Sequence, residues 1–212
     1  MSVINLEDAR EEGIRTAIGA LRAGELVVCP TDTVYGVAAD AFNVAATGAI
    51  FRIKDRPRAL PLPVLVSRPR QAWAVSSEVP SGASELAAAF WPGALTMILP
   101  QGTDLDWDLG DARGSIALRI PNHPVLLELL ERVGPVAATS ANRTGEPTPP
   151  TVSEIETMFG AEVAVYLDGG PASGDAGSTI VDLSKGDPTL IREGPITSAE
   201  LERVLGRPLA RA

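Results

Sequence analysis

The apolar residues of this chain follow two spacings, one typical of amphipathic helices and one typical of buried strands. Helical spacing is clearest for Ala9, Ile14, Ala17, Ile18 and Leu21, and the pattern stops at Gly24. Further helices are predicted at residues 43–53, 84–90, 124–133, 153–159 and 198–205. Short apolar runs predict strands at 26–29, 63–66, 95–99, 115–120, 136–139, 163–167, 179–183 and 189–192. Because strands alternate with helices, the pattern predicts an α/β protein.

The predicted sheet is mixed, since some strands follow one another with only a turn between them. The runs at 179–183 and 189–192 are an example. No internal repeat, low-complexity tract or composition shift divides the chain. We therefore expect a single domain over residues 1–212 with a core at about 7–205. The residues after Pro195 suffice for one helix and a short tail, so no additional C-terminal domain is expected.

Composition is that of a globular protein. The chain is 45% hydrophobic and 21% charged, which gives it enough apolar surface to fold. No apolar run reaches the roughly 18 residues that span a bilayer. The N-terminal segment MSVINLEDAREEG is acidic, whereas a signal peptide begins with basic residues. These features predict a cytoplasmic protein with no membrane partner.

Net charge and the rare residues narrow the possible functions. The formal charge of −9 argues against a protein that wraps nucleic acid, because such binding comes mainly from neutralised phosphates. Cys29 is the only cysteine, which excludes an internal disulfide and a multi-cysteine zinc site, and we expect it to be a buried small hydrophobe. His123 is the only histidine and is expected to be structural or peripheral, so a serine hydrolase triad has little support.

Two polar clusters follow predicted elements near the N-terminal third. The first is 30–36, PTDTVYG, which places two threonines, a carboxylate and a tyrosine at a strand end, where α/β proteins commonly bind ligands. Alternatively, its Asp and Thr side chains satisfy a local turn. The second is 54–58, KDRPR, whose three cations could hold a polyphosphate or simply form a solvated face.

Two further clusters lie in the second half of the chain. Arg119 ends a strongly apolar strand, where an unpaired charge is costly, so it is expected to meet a carboxylate or an anionic ligand. Ser140 and Asn142 follow the strand at 136–139, although Asn142 could simply turn the chain. A hydroxyl pair opens the strand in GSTIVD, and Arg192 closes the next one. Together with the 54–58 cluster, the two arginines predict converging positive charge.

The ordered set of motifs resembles the YrdC (TsaC) family of threonylcarbamoyl-AMP synthases. The set comprises PTDTVYG, the K-x-R pair Lys54 and Arg56, SIALRIP, the S-x-N pair Ser140 and Asn142, GSTIVD and IREGP. The resemblance runs from about Glu7 to Leu205. It implies one α/β domain with a twisted mixed sheet, flanked by helices, and a concave pocket lined with positive charge. It also implies a nucleotidyltransferase that makes L-threonylcarbamoyladenylate and pyrophosphate from L-threonine, bicarbonate and ATP.

The resemblance assigns roles to matching positions. Those implied to act in catalysis are Lys54 and Arg56. Those implied to hold L-threonine or its carbamate are Thr33, Arg119, the backbone around Ala138, and Ser178. Those implied to hold ATP are Arg56, Ser115, Ser140, Asn142, Thr148 and Arg192. The product would serve threonylcarbamoyladenosine formation next to the tRNA anticodon, through separate transferase proteins, with direct tRNA binding weak or absent.

Two positions depart from the family pattern. Family members often have Asn where Leu60 stands and His where Leu65 stands, so these two contacts are not carried over. We hypothesise that Arg58 takes over a phosphate contact. Magnesium is expected to arrive with ATP, with no protein side chain as a ligand.

Two other functions fit parts of the pattern. One is the carbamoyl-transfer domain of hydrogenase maturation, which shares the fold of the YrdC family but usually lies inside a much longer chain. The other is an RNA-binding module, for which the acidic balance and the scarcity of aromatic residues offer little support.

Overall fold

The computed structural model describes residues 1–172, 174 and 176–211. The strands are β1 (Ser2–Asn5), β2 (Val27–Cys29), β3 (Gly36–Asp40), β4 (Val64–Leu65), β5 (Leu95–Pro100), β6 (Ser115–Arg119), β7 (Val136–Ser140), β8 (Val165–Asp168), β9 (Thr179–Asp182), β10 (Thr189–Arg192) and β11 (Ala210–Arg211). The helices are α1 (Leu6–Arg22), α2 (Val44–Ile53), α3 (Pro69–Ala74), α4 (Ala83–Phe90), α5 (Pro124–Val133), α6 (Val152–Phe159) and α7 (Ser198–Leu205). A single 3₁₀ turn covers Gly160–Glu162.

Within the described residues the strands form one sheet in the order β1-β8-β2-β3-β7-β4-β6-β5-β9-β10-β11. Pairing is parallel in β1–β8, β2–β8, β4–β6, β5–β9 and β10–β11. It is antiparallel in β2–β3, β3–β7, β4–β7, β5–β6 and β9–β10. The predicted α/β class with a mixed sheet and flanking helices is confirmed, while the domain limits stay a prediction.

Both faces of the sheet carry helices, but the coverage is unequal. One face packs on α1 and α5 through a cluster that includes Ile14, Leu21 and Leu126. The other face packs on α2, α3, α4, α6 and α7 in a larger cluster. On the first face, the part of the sheet around β5, β6 and β9 lies beyond this cluster. That part forms the cavity described below.

Local signals explain where several helices begin. Thr151 and Thr197 each accept a hydrogen bond from the backbone of a glutamate three residues later, whose carboxylate reaches back, so α6 and α7 start with complete capping boxes. Asn43 caps α2 in the same region where the sequence predicted a helix start. α5 begins at a proline and stops at Gly134, which has φ 96°.

Four elements were absent from the sequence prediction. β3 has the sequence GVAAD, buried at four of its five positions, and therefore lacks the alternation that marks a half-exposed strand. β1 and β11 are short segments near the ends of the chain that gain strand geometry only by pairing with β8 and β10. α3 has six residues, too few for a helical repeat to be recognised. Across the described chain, no helix has the length and apolarity to cross a bilayer, and the cytoplasmic location stays a prediction.

Candidate active site

A cavity of about 460 Å³ opens on the face of the sheet beyond α1 and α5, a size typical of small-molecule sites. Strand alternation produces its floor. In β6, Ser115, Ala117 and Arg119 line the cavity, while Ile116 and Leu118 point into the larger core. The period of two in SIALR thus separates the ligand-facing residues from the core-facing ones.

Neighbouring strands add to the floor in the same way. β5 contributes Thr96 and Ile98, with Leu95, Met97 and Leu99 on the core side. β7 contributes Ala138 and Ser140 at its carboxyl end. The edge of the cavity carries Leu60 and Ile191, which are 46% and 44% exposed. The cavity therefore combines an apolar floor with hydroxyl and guanidinium groups.

Arg119 is held by three hydrogen bonds. Its Nη2 donates to Asp32 Oδ1 at 2.7 Å, its Nη1 to Thr33 Oγ1 at 3.0 Å, and its Nε to the Gly93 carbonyl at 3.0 Å. Burial lowers the pKa of the guanidinium, while the Asp32 carboxylate acts in the opposite direction. Three of its five N–H groups are used in this way, and two have no partner among the described residues.

Hydrogen bonds of Thr31 and Tyr35 fix the conformation of the loop 30–35. The Thr31 hydroxyl donates to the Val34 carbonyl at 2.7 Å and accepts from the Thr33 backbone N–H at 3.0 Å. The Tyr35 hydroxyl donates to the Gly170 carbonyl at 2.6 Å and accepts from the Gly169 N–H at 3.0 Å. The Thr31 side chain thus forms the local turn of the alternative interpretation, whereas Asp32 pairs with Arg119 and Thr33 lines the cavity. Ligand binding by PTDTVYG stays a prediction.

Ser178 and Arg192 form the opposite side of the cavity. The Ser178 hydroxyl lies 2.7 Å from the Thr96 hydroxyl, and its carbonyl accepts from Arg192 Nε at 3.0 Å and Nη2 at 2.7 Å. Gly177 allows this arrangement, since a Cβ at that position would lie 2.7 Å from Arg192 Nη2. The guanidinium is thereby oriented by a neutral carbonyl.

Arg56 is oriented in the same manner by the segment that follows it. Its Nε donates to the Leu60 carbonyl at 2.7 Å and its Nη2 to the Pro61 carbonyl at 3.0 Å. Burial lowers the pKa of Arg56, and repulsion by Arg192 lowers it further. The pKa of Arg192 is lowered by burial and then by Arg119. The guanidiniums of Arg56, Arg192 and Arg119 therefore lie close enough to repel one another, which concentrates positive charge at the cavity.

Lys54 and Asn142 lie behind the cavity. Neither residue is among the described residues that line the cavity. The Lys54 ammonium donates to the Ser140 carbonyl at 2.5 Å, to the Asn142 carbonyl, and to Asn142 Oδ1 at 3.3 Å. Burial lowers the pKa of Lys54 to about 7, with a further contribution from Arg56.

Arg58 also lies outside the cavity lining as the structure describes it. Its guanidinium pairs with the Asp108 carboxylate and lies 5.2 Å from the centre of the Phe51 ring. This pairing raises the pKa of Arg58 and lowers that of Asp108. Only Arg58 Nη2 takes part in this pairing, and the predicted phosphate contact of Arg58 stays a prediction.

Nine of the twelve predicted site residues meet at the cavity, although their roles there stay predictions. They are Thr33, Arg56, Ser115, Arg119, Ala138, Ser140, Thr148, Ser178 and Arg192. Sequence reasoning missed two contributors. The Thr96 hydroxyl contacts the Ser178 hydroxyl, and a threonine inside an apolar strand could have indicated it. The Asp32 carboxylate accepts from Arg119, and its position next to Thr33 in the sequence could have indicated it.

The described residues of the lining offer little acid–base or nucleophilic chemistry. Cys29 is buried, as expected, and burial raises its pKa to about 12, so it stays a thiol at neutral pH. His123 precedes α5 as its N-cap and borders a separate cavity of about 80 Å³. No group of three His, Cys, Asp or Glu residues in the described parts of the chain could hold a metal ion. The arrangement is suited to binding and orienting anions.

Comparison with known proteins connects this site to a family. The family model Sua5_yciO_yrdC, described as "Telomere recombination", matches residues 19–194. A Mycobacterium tuberculosis protein named "Putative threonylcarbamoyl-AMP synthase" is 48% identical over 199 residues, covering 94% of this chain and 92% of its own. A Pyrococcus abyssi protein named "Threonylcarbamoyl-AMP synthase" is 36% identical over 206 residues, covering 96% of this chain and 61% of its own.

Solved structures agree with this relationship. The crystal structure of Pyrococcus abyssi Sua5 complexed with L-threonine superposes with a TM-score of 0.94 at 34% identity, over 100% of this chain and 63% of that one. The resemblance that the ordered motifs predicted is confirmed, because the matching relatives carry the same enzyme name. With the family model matching most of its length, the chain belongs to the Sua5/YciO/YrdC family.

Proposed function

We propose that this chain forms L-threonylcarbamoyladenylate and pyrophosphate from L-threonine, bicarbonate and ATP. The observation that carries the proposal is the sharing of one cavity by two sets of groups. Arg119, Thr33 and Ser178 form one set, and Arg56 and Ser140 belong to the other. Such an arrangement suits two anionic reactants that must meet.

The first set suits an amino acid. Arg119 keeps two N–H groups without partners in the described residues, enough for a carboxylate, and its plane is already fixed. The hydroxyls of Thr33 and Ser178 can orient the amine or the side-chain hydroxyl. A relative, Pyrococcus abyssi Sua5, was crystallised with L-threonine, which supports threonine as the ligand here.

The second set suits a nucleotide. Arg56 and Arg192 provide positive charge, and Thr148 provides a hydroxyl group. The Ser115 hydroxyl donates to the Ala112 carbonyl at 2.8 Å and the Ser140 hydroxyl donates to Asn142 Oδ1, so these two hydroxyls would have to rotate to donate to the nucleotide. The described residues of the cavity lining include no carboxylate, the kind of ligand that Mg²⁺ prefers. We therefore keep the prediction that magnesium arrives with ATP, and we assign no step to it.

The reaction needs no nucleophile from the protein. The threonine amine condenses with bicarbonate to give a carbamate and water, and a carbamate oxygen then attacks the α-phosphorus of ATP while pyrophosphate leaves. Arg56 and Arg192 would stabilise negative charge on the phosphoryl group and on the leaving pyrophosphate. A carbamate decomposes quickly in water, so holding both reactants in one cavity raises the chance of attack. The adenylate would pass to separate proteins that modify tRNA.

The test is to incubate the purified protein with ATP, Mg²⁺, L-threonine and bicarbonate and to measure the adenylate and pyrophosphate. We expect both products to require threonine and bicarbonate. Product formation that ignores the omission of either would refute the proposal. Carbamoyl phosphate cleavage without threonine would favour the hydrogenase-maturation type of chemistry, and RNA binding that persists at high salt and excess ATP would favour the RNA-binding alternative.

Arg58 has a separate test. If Arg58 contacts a phosphate, Arg58→Ala should raise the ATP KM about tenfold, the effect of losing one charged hydrogen bond of about 1.5 kcal/mol. Asp108→Ala is the matched control, because it frees Arg58 while keeping its charge. An unchanged ATP KM in Arg58→Ala would contradict the phosphate contact.

A further inference from the structure

The buried lysine behind the cavity uses all its donors within the protein. Lys54 is 1% exposed, and its ammonium has three N–H groups. Three acceptors surround it: the Ser140 carbonyl, the Asn142 carbonyl and Asn142 Oδ1. With these contacts in place, no N–H group remains for a phosphate.

The turn that Lys54 contacts is organised around it. The Thr144 N–H donates to the Lys54 carbonyl at 3.0 Å, so the contact runs in both directions. Asn142 Nδ2 donates to the Arg143 carbonyl at 2.9 Å and to the Glu146 carbonyl at 2.6 Å, and its Oδ1 accepts from the Ser140 hydroxyl. Removing the ammonium would therefore take three hydrogen bonds from the turn that begins at Ser140 and loosen it.

A lysine suits this place better than an arginine. Its ammonium is a compact point charge whose donors can converge on one turn, whereas the guanidinium is a planar fork. The chain has only two lysines, Lys54 and Lys185, against sixteen arginines. No carboxylate pairs with Lys54 among the described residues, so carbonyl dipoles alone stabilise its charge.

We propose that Lys54 is a positioning residue that holds Ser140 in the cavity wall through the 140–146 turn, and that it does not touch the nucleotide. Ser140 lines the cavity at the end of β7, whereas Lys54 stands one layer behind it. The claim that Lys54 does not contact ATP rests on the proposed function. The claim that Lys54 holds the 140–146 turn is independent of that function.

Lysine labelling of the unaltered protein tests the burial directly. An amine reagent at pH 8 is followed by mass spectrometry, and Lys185, which is exposed, serves as the internal reference. With a pKa of about 7, an accessible Lys54 would be mainly neutral and would react about two orders of magnitude faster than an ordinary lysine. We expect it instead to react at least tenfold more slowly than Lys185, with no change on adding MgATP. Faster labelling of Lys54, or labelling that MgATP suppresses, would overturn the proposal.

A double-mutant cycle tests the positioning role. Lys54→Met should raise the ATP KM at least tenfold in the parent protein but less than threefold in a Ser140→Ala background, because the effect passes through Ser140. Lys185→Met is the matched control and should change neither value. The same increase in both backgrounds would mean that Lys54 acts on the nucleotide without Ser140, and would overturn the proposal.

Hydrogen exchange in the absence of any ligand separates this inference from the proposed function. Backbone amides at 140–146 should exchange at least tenfold faster in Lys54→Met than in Lys185→Met. Unchanged exchange would overturn the positioning role even if the enzyme is active. If the parent protein makes no adenylate, the proposed function is refuted. Lysine labelling and hydrogen exchange still test the burial and the positioning role of Lys54 in that case. If Lys54→Met does not fold, labelling of the parent protein decides alone.

Discussion

Gly177→Ala is a single methyl addition aimed at the orientation of Arg192. The new Cβ would lie 2.7 Å from Arg192 Nη2 and 3.1 Å from Cζ, closer than such atoms approach one another. The Gly177 φ lies outside the left-handed region, so alanine fits the backbone. The atoms it meets belong to the far end of a flexible side chain, which can turn away. The expected result is an intact protein whose Arg192 no longer donates to the Ser178 carbonyl.

The magnitudes separate stability from binding. Losing the two hydrogen bonds to the Ser178 carbonyl costs only about 0.5–1.5 kcal/mol, because Arg192 is exposed and water can replace the carbonyl as acceptor. Replacing glycine by alanine at a compatible backbone position returns about 0.4–1 kcal/mol through the unfolded state. The free energy of unfolding should therefore change by less than about 1 kcal/mol. A displaced Arg192 would lose a charged contact to ATP of about 1.5–3 kcal/mol, which raises the ATP KM about 10- to 150-fold.

The assay is threonine-dependent pyrophosphate release at varied ATP, combined with urea denaturation. Gly19→Ala is the matched control, because a Cβ there meets nothing within 4 Å. An Arg192→Ala background provides the decisive comparison, since Gly177→Ala should add nothing once the guanidinium is gone. An unchanged ATP KM, or an equal loss in the Arg192→Ala background, would refute the reasoning.

Three further predictions follow from the contacts at and behind the cavity. Asp32→Asn should lower the free energy of unfolding by about 3 kcal/mol in urea denaturation, because it leaves Arg119 buried without its charged partner; unchanged stability would contradict this. Thr96→Val should raise the threonine KM about three- to tenfold and leave the ATP KM unchanged, since it removes the hydroxyl that supports Ser178; steady-state kinetics with each substrate varied decide. Lys54 binds its proton only up to about pH 7 when folded but up to about pH 10.5 when unfolded, so the unfolded state holds more protons between these values. The free energy of unfolding should therefore rise with pH through that window, and Lys54→Met should have the flatter profile in denaturation at several pH values.

The sequence predicted best the features that depend only on residues within one strand. The apolar run at 115–120 predicted β6, and in the structure its alternation places Ser115 and Arg119 at the cavity and Ile116 and Leu118 in the core. A charged residue at the end of an apolar strand indicated a partner, and Asp32 is that partner. Such inferences succeed because burial and period-two geometry act locally.

The sequence could not distinguish residues that line the cavity from residues that support it. Lys54 and Asn142 stand two residues from Arg56 and Ser140, respectively, and share their motifs, yet they lie behind the lining. Their positions depend on the pairing of β3 with β7, whose partner residues lie 96 to 104 positions apart in the sequence. This pairing brings Lys54 to Ser140, 86 positions away. Arg58 is a similar case, because its partner Asp108 lies 50 residues away. The sequence pattern therefore predicts the chemistry of a side chain, but not whether that side chain lines the cavity or packs behind it.

The way in which the arginines are held explains how a chain with a net charge of −9 can keep a cationic cavity. Arg119 is paired with a carboxylate, but Arg56 and Arg192 are oriented by carbonyls of Leu60, Pro61 and Ser178. Carbonyl dipoles fix the direction of a guanidinium without cancelling its charge, whereas a carboxylate does both. In the described residues, therefore, positive charge remains at the cavity, and a bound anion would relieve the mutual repulsion of these groups. Preorganised charge of this kind requires no reorganisation at the moment of reaction.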